Sequence, residues 1–98
     1  MAQFDVFLGD EADALLLDCQ ANTLRHFDTR LVVPLMRADA TRQADRLHPI
    51  FEIDGRRMVM VTQLASAVPT KLLRTQVANL DEHRYTITSA IDVLTAGV

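Results

Sequence analysis

The sequence predicts a mainly β domain, β plus α in class: about five short antiparallel strands curling toward a barrel-like sandwich, with one C-terminal helix. Three observations carry this. Apolar residues alternate at period two in the opening segments around Val6 and Leu17. Asp54 and Gly55 separate two further alternating apolar runs. Near the end, Ile87, Ala90, Ile91 and Leu94 recur at i, i+3, i+4 and i+7.

The first element is "QFDVFL", where Phe4, Val6 and Leu8 alternate with Asp5 and Phe7. The second is "LLLDCQ", where Leu15, Leu17 and Cys19 alternate with Leu16 and Asp18. The break "GDEADA" between them is too long for a two-residue turn, so the pair reads as an antiparallel hairpin of open register. "RLVVPLM" is a β-branched strand; Pro34 cannot donate to a ladder and predicts an edge position or a bulge. "RADATRQADR" is polar with nearly cancelling charges and fits a helical turn or an exposed excursion, of which a solvated connection is the favoured reading.

"IFEIDGRRMVMV" carries the strongest local signal. Asp-Gly marks a type I′ turn, which pairs Ile53 with Arg56, Glu52 with Arg57, Phe51 with Met58 and Ile50 with Val59. Phe51, Met58 and Met60 then share one face. Glu52 and Arg57 lie opposite each other on the other, an expected ion pair of ~0.2–1 kcal/mol. "QLASAVPTKLLRTQVANL", broken by Pro69, fits either a short strand or an irregular helical turn after the proline.

The last segment, "LDEHRYTITSAIDVLTAGV", reads as a helix. Asp81 and Glu82 suit the positive end of the macrodipole, and Gly97 stands where a C′ residue would. Thr86, Ile87, Thr88, Ile91, Val93 and Thr95 are β-branched and oppose it, but the apolar spacing outweighs their propensity.

Residues 1–98 form one expected domain. Hydrophobic residues make up 49%, mostly aliphatic, with four Phe, one Tyr and no Trp. So small a body with surplus aliphatic surface leans toward a homodimer. Net charge is −3, and nine Arg with the single Lys71 form no cluster dense enough for a nucleic-acid footprint. Cys19 is the only cysteine, which suits a reducing cytoplasm. No secretion signal opens the chain, and no apolar run is long enough for a membrane span.

For chemistry, His26, His48 and His83 with Cys19 give no metal-ligand spacing, and no phosphate-binding loop is present. No cofactor is expected. The densest polar cluster is "RHFDTR", containing Arg25, His26, Asp28 and Arg30. A nuclease could use His26 as base, Arg25 or Arg30 as phosphate clamp and Asp28 as orienter. The plainer reading is an exposed polar loop between strands. Cys19 on an apolar strand face reads as a structural thiol, and Met36, Met58 and Met60 as core filler.

Five blocks, "QFDVF", "LDCQANTL", "RLVVPL", "IDGRRMVMVTQLASAVP" and "VANLDEHRYTITSAIDVLTAGV", resemble in order and spacing the CcdB family of bacterial toxins. The resemblance implies a homodimer with an SH3-like barrel and a long C-terminal helix, and no enzymatic activity. It implies poisoning of DNA gyrase by binding the GyrA subunit and trapping the cleavage complex. It further implies neutralisation by a CcdA-like antitoxin that folds on binding, with DNA contacted only indirectly through that complex.

The residues that the resemblance places at the partner surface are Thr23, Leu24, Ser89, Asp92, Ala96, Gly97 and Val98. Gly97 matches the family, and Val98 is a conservative change. Ala96 replaces a tryptophan, Asp92 and Ser89 replace amides, and Thr23 and Leu24 replace two isoleucines. Loss of an interface tryptophan costs ~2–4 kcal/mol, about 30- to 1000-fold in affinity. Two alternatives stand beside gyrase poisoning. One is a family member that keeps only antitoxin binding and operator co-repression; the other is an RNA endonuclease toxin of the same architecture.

Overall fold

The computed structural model describes residues 1–11 and 13–98; Ala12, inside the break after the first strand, lies outside the described residues. Among the described residues seven strands and one α-helix follow in the order β1 (Asp5–Leu8), β2 (Ala14–Asp18), β3 (Thr29–Arg37), β4 (Ile50–Ile53), β5 (Arg56–Met60), β6 (Ser66–Pro69), β7 (Gln76–Asn79) and α1 (Arg84–Ala96). The strands make one curled antiparallel sheet, ordered β4-β5-β3-β2-β1-β7, with β6 also on β3. The mainly β class with a C-terminal helix is therefore as the sequence predicts.

The first hairpin pairs Val6 with Leu17, Phe7 with Leu16 and Leu8 with Leu15. Its alternation is the expected one, and both faces of this sheet are partly covered. Phe4, Val6 and Leu17 enter the main core beneath α1, whereas Phe7 packs with Val32 and Leu73 on the opposite face. Leu8 ends the strand 50% exposed. Phe4 sits at φ +70°, a strained conformation for a bulky residue. Its N–H donates to Asp18 O at 2.6 Å and its carbonyl accepts from Leu80 N–H at 2.9 Å, which hold it there.

β3 is the trunk of the sheet, not an edge, so the expected edge position of Pro34 is corrected. One side pairs with β2 from Val32 to Met36, Pro34 lying opposite Leu16. The other side changes partner: Thr29 to Val32 pair with β6, and Leu35 to Arg37 pair with β5. Pro34 falls in the gap, where a 3-10 turn at Thr62–Leu64 separates β5 from β6. Its carbonyl accepts from Val61 N–H at 3.0 Å, and the N–H it lacks would have found no ladder partner there.

The β4–β5 register is the predicted one, residue for residue. Asp54 and Gly55 have φ of +52° and +77°, as a type I′ turn requires. Phe51, Met58 and Met60 are all buried. The expected Glu52–Arg57 ion pair does not form. Arg57 instead donates to the carbonyls of Asp39 and Arg42, stitching the polar connection onto the hairpin. That connection has no regular structure, as expected, and Asp39 organises its start. The Thr41 hydroxyl, with the Thr41 and Arg42 N–H groups, holds the Asp39 carboxyl below its usual range.

The sheet has seven strands, not about five. The additional two, β6 and β7, come from the ambiguous stretch around Pro69: β6 pairs with β3 and β7 with β1. α1 covers the main core with Ile87 and Ala90, both 0% exposed, while Ile91 is half-buried. Full burial of a side chain the size of Ile87 contributes about 1.5–3 kcal/mol. No helix among the described residues is long and apolar enough to cross a membrane.

Candidate functional site

The predicted partner surface has two parts. The first is the end of α1. Ile87 and Ala90 pin one face of the helix to the sheet, so the remaining faces point outward. Ser89 is half-buried, and Asp92, Ala96, Gly97 and Val98 are exposed. Gly97 adopts φ +73°, and its N–H donates to Val93 O at 3.0 Å, the left-handed cap expected of glycine. Leu94 and Val98 are 42% and 68% exposed, so the tip is apolar and open.

Sequence reasoning missed one residue here. Arg46, in the polar connection before β4, donates from Nε to Ser89 Oγ at 2.6 Å and from Nη2 to Val98 O. Nothing in the local sequence marks it, because its partners lie 43 and 52 residues away.

The second part is Thr23 and Leu24, both exposed in a 3-10 turn at Asn22–Leu24. Gln20 fastens this loop to β3: its Nε2 donates to Leu24 O and Thr29 O, and its Oε1 accepts from Leu31 N–H, all at 3.1 Å. Asn22 Oδ1 accepts from Gln3 N–H at 2.8 Å. Among the described residues no hydrogen bond or ion pair joins this turn to the helix tip within the chain.

The "RHFDTR" cluster does not assemble as a nuclease centre would. Arg30 points inward and is buried, its Nη2 2.8 Å from Asp18 Oδ2. It is unavailable as a phosphate clamp. His26 packs on Phe27 at a centroid distance of 4.4 Å, and Arg25 Nε donates to Asn22 O at 3.1 Å. Thr70 N–H donates to the backbone carbonyl of Asp28 at 2.9 Å, and no hydrogen bond couples the Asp28 carboxylate to His26. Among the described residues His26 therefore lacks the Asp28 orienter contact that the nuclease reading expects.

The Asp18–Arg30 contact is close but falls outside hydrogen-bond angles, leaving Asp18 Oδ2 and Arg30 Nε and Nη2 without a hydrogen bond. Burial raises the Asp18 carboxyl above its ordinary 3.8; the Arg30 side chain and the Gln20 N–H only partly offset this. Next to it, burial and then the Asp18 charge push the Cys19 thiol up to about 12. Cys19 is thus a structural thiol.

On the outer face of the sheet, Leu8, Met36, Leu64 and Leu72 are 37–57% exposed around a groove of about 390 Å³. This is surplus aliphatic surface of the kind the composition implies, and it includes Met36, which the sequence reading placed in the core. Among the described residues no group of His, Cys, Asp and Glu is placed to hold a metal ion.

No curated protein matches the chain. The sequence model of one family, described as CcdB protein, matches residues 3–97, nearly the whole chain and every element described above. Members of that family are toxins of toxin–antitoxin modules, each partnered by an antitoxin and typically dimeric. With a β-rich body, a single C-terminal helix and a match across 3–97, the chain belongs to the CcdB family.

Proposed function

We propose that this toxin poisons DNA gyrase by binding the GyrA subunit through its helix tip and trapping the covalent gyrase–DNA complex. A CcdA-like antitoxin neutralises it, and a homodimer is the acting form. The supporting observation is the open apolar tip: Ala96, Gly97 and Val98 are exposed at the end of a helix whose other face is locked into the core. Such a tip can enter a partner without unfolding the body that carries it. Asp92, Ser89, Thr23 and Leu24 form the rest of the proposed contact. The exposed outer-face leucines and Met36 offer apolar surface for a second copy.

No catalytic role enters this mechanism. A poison needs only to bind the enzyme–DNA intermediate more tightly than the states before and after it. The buried Arg30 removes one arm of the nuclease alternative.

Induction in a bacterial host tests the proposal. Growth arrest with chromosome breaks, relieved by the cognate antitoxin, is expected. Arrest without breaks and with degraded transcripts would favour the nuclease alternative. No arrest would favour the co-repressor alternative.

A further inference from the structure

The Arg46 contact has a role that the family match does not assign. α1 ends at the Gly97 cap, and a helix end of this kind frays. Here the end is tied down at two points by one guanidinium, through Nε to Ser89 Oγ at 2.6 Å and through Nη2 to Val98 O. The planar fork of arginine suits a two-point hold; an ammonium does not reproduce it.

The backbone that presents Arg46 is itself anchored. His48 N–H donates to Asp45 Oδ1 at 2.7 Å, closing a turn around Arg46. The hydroxyl of Thr62, buried at 0% exposure, donates to Leu47 O. His48 Nε2 lies 2.7 Å from Gln63 Oε1. Thr62 and Gln63 belong to the 3-10 turn that packs against α1. Latch and helix therefore share one support.

We propose that Arg46 is the positioning residue of the tip, holding Ser89 and residues 96–98 in the arrangement that a protein partner meets. This rests on the partner role proposed above for the tip. Preorganisation of this kind lowers the ordering cost of binding.

The test uses the full chain as wild type, Arg46→Lys and Arg46→Ala. Hydrogen exchange at the Gly97 amide and affinity for purified gyrase are both read. The Gly97 amide should exchange about 5-fold faster in both variants, the effect of one net hydrogen bond, while core amides of α1 stay unchanged. Gyrase affinity should fall about 5-fold or more through a faster off-rate. Unchanged Gly97 exchange in Arg46→Ala would overturn the proposal. So would tighter gyrase binding, which would make the contact autoinhibitory. If wild type binds no gyrase, the gyrase reading fails, while the exchange rates still decide whether Arg46 holds the tip.

Discussion

Asp18 on β2 and Arg30 on β3 meet at 2.8 Å with side chains 0% and 1% exposed, a charge pair sealed between strands. Removing one partner of such a pair leaves a buried charge alone. Arg30→Ala is expected to destabilise the fold by about 3–5 kcal/mol. Replacing both, Asp18→Leu with Arg30→Met, should recover most of that loss. Urea unfolding of the three proteins checks both statements.

The same pair gives stability a pH dependence. Because burial raises the Asp18 carboxyl, the native state holds its proton more tightly than the unfolded chain does. Its contribution is most favourable below pH 3.8 and declines as pH rises through the higher native value. Asp18→Asn removes this slope. The stability of wild type relative to Asp18→Asn should therefore improve on acidification toward pH 4. A relative loss on acidification would mean that Arg30 governs the carboxyl instead.

Cys19 should resist alkylation in the native protein. With the thiol pushed up to about 12, roughly one molecule in 10⁴ carries the thiolate at pH 8. Iodoacetamide labelling at that pH should be slower than for an ordinary thiol by about 100-fold or more, and should become rapid in urea. Mass spectrometry of the labelled chain reads both rates.

Ala96→Trp should strengthen the action on gyrase. Ala96 is exposed, so a larger side chain meets no core there. An interface tryptophan contributes ~2–4 kcal/mol, so the concentration needed to trap cleavage complexes should drop by about 30-fold or more. An unchanged concentration would mean that the tip binds without using this position.

The β4–β5 register was legible residue for residue, because Asp54 and Gly55 fix the turn type and the turn type fixes the register; the Glu52–Arg57 ion pair was not, since Arg57 turns to the carbonyls of Asp39 and Arg42. The helix was legible from its Ile87, Ala90, Ile91 and Leu94 spacing, although Leu94 is 42% exposed and stays outside the core. β6 and β7 were not, because four-residue strands around a proline carry too few alternations to separate from a helical turn. Pro34 misled for a related reason: proline excludes a ladder bond on one side only, and that side is where β3 changes partners. Arg30 looked like loop chemistry because it is adjacent in sequence to Arg25, His26 and Asp28, whereas strand pairing turns it inward toward Asp18. Of the candidate surface, Thr23, Leu24 and the tip were placed by the family resemblance, and only Gly97 carried a local signal, that of a helix cap. Arg46 did not, since its contacts depend on where a distant irregular segment is anchored.

The central claim is that an exposed tip, with no catalytic centre, carries the toxicity. Cleavage-complex formation by purified gyrase, measured with wild type, a variant lacking residues 96–98 and His26→Ala, tests it most directly. The account predicts that wild type and His26→Ala trap gyrase on cleaved DNA equally well and that the shortened chain fails. Full trapping by the shortened chain, with activity lost in His26→Ala, would contradict it.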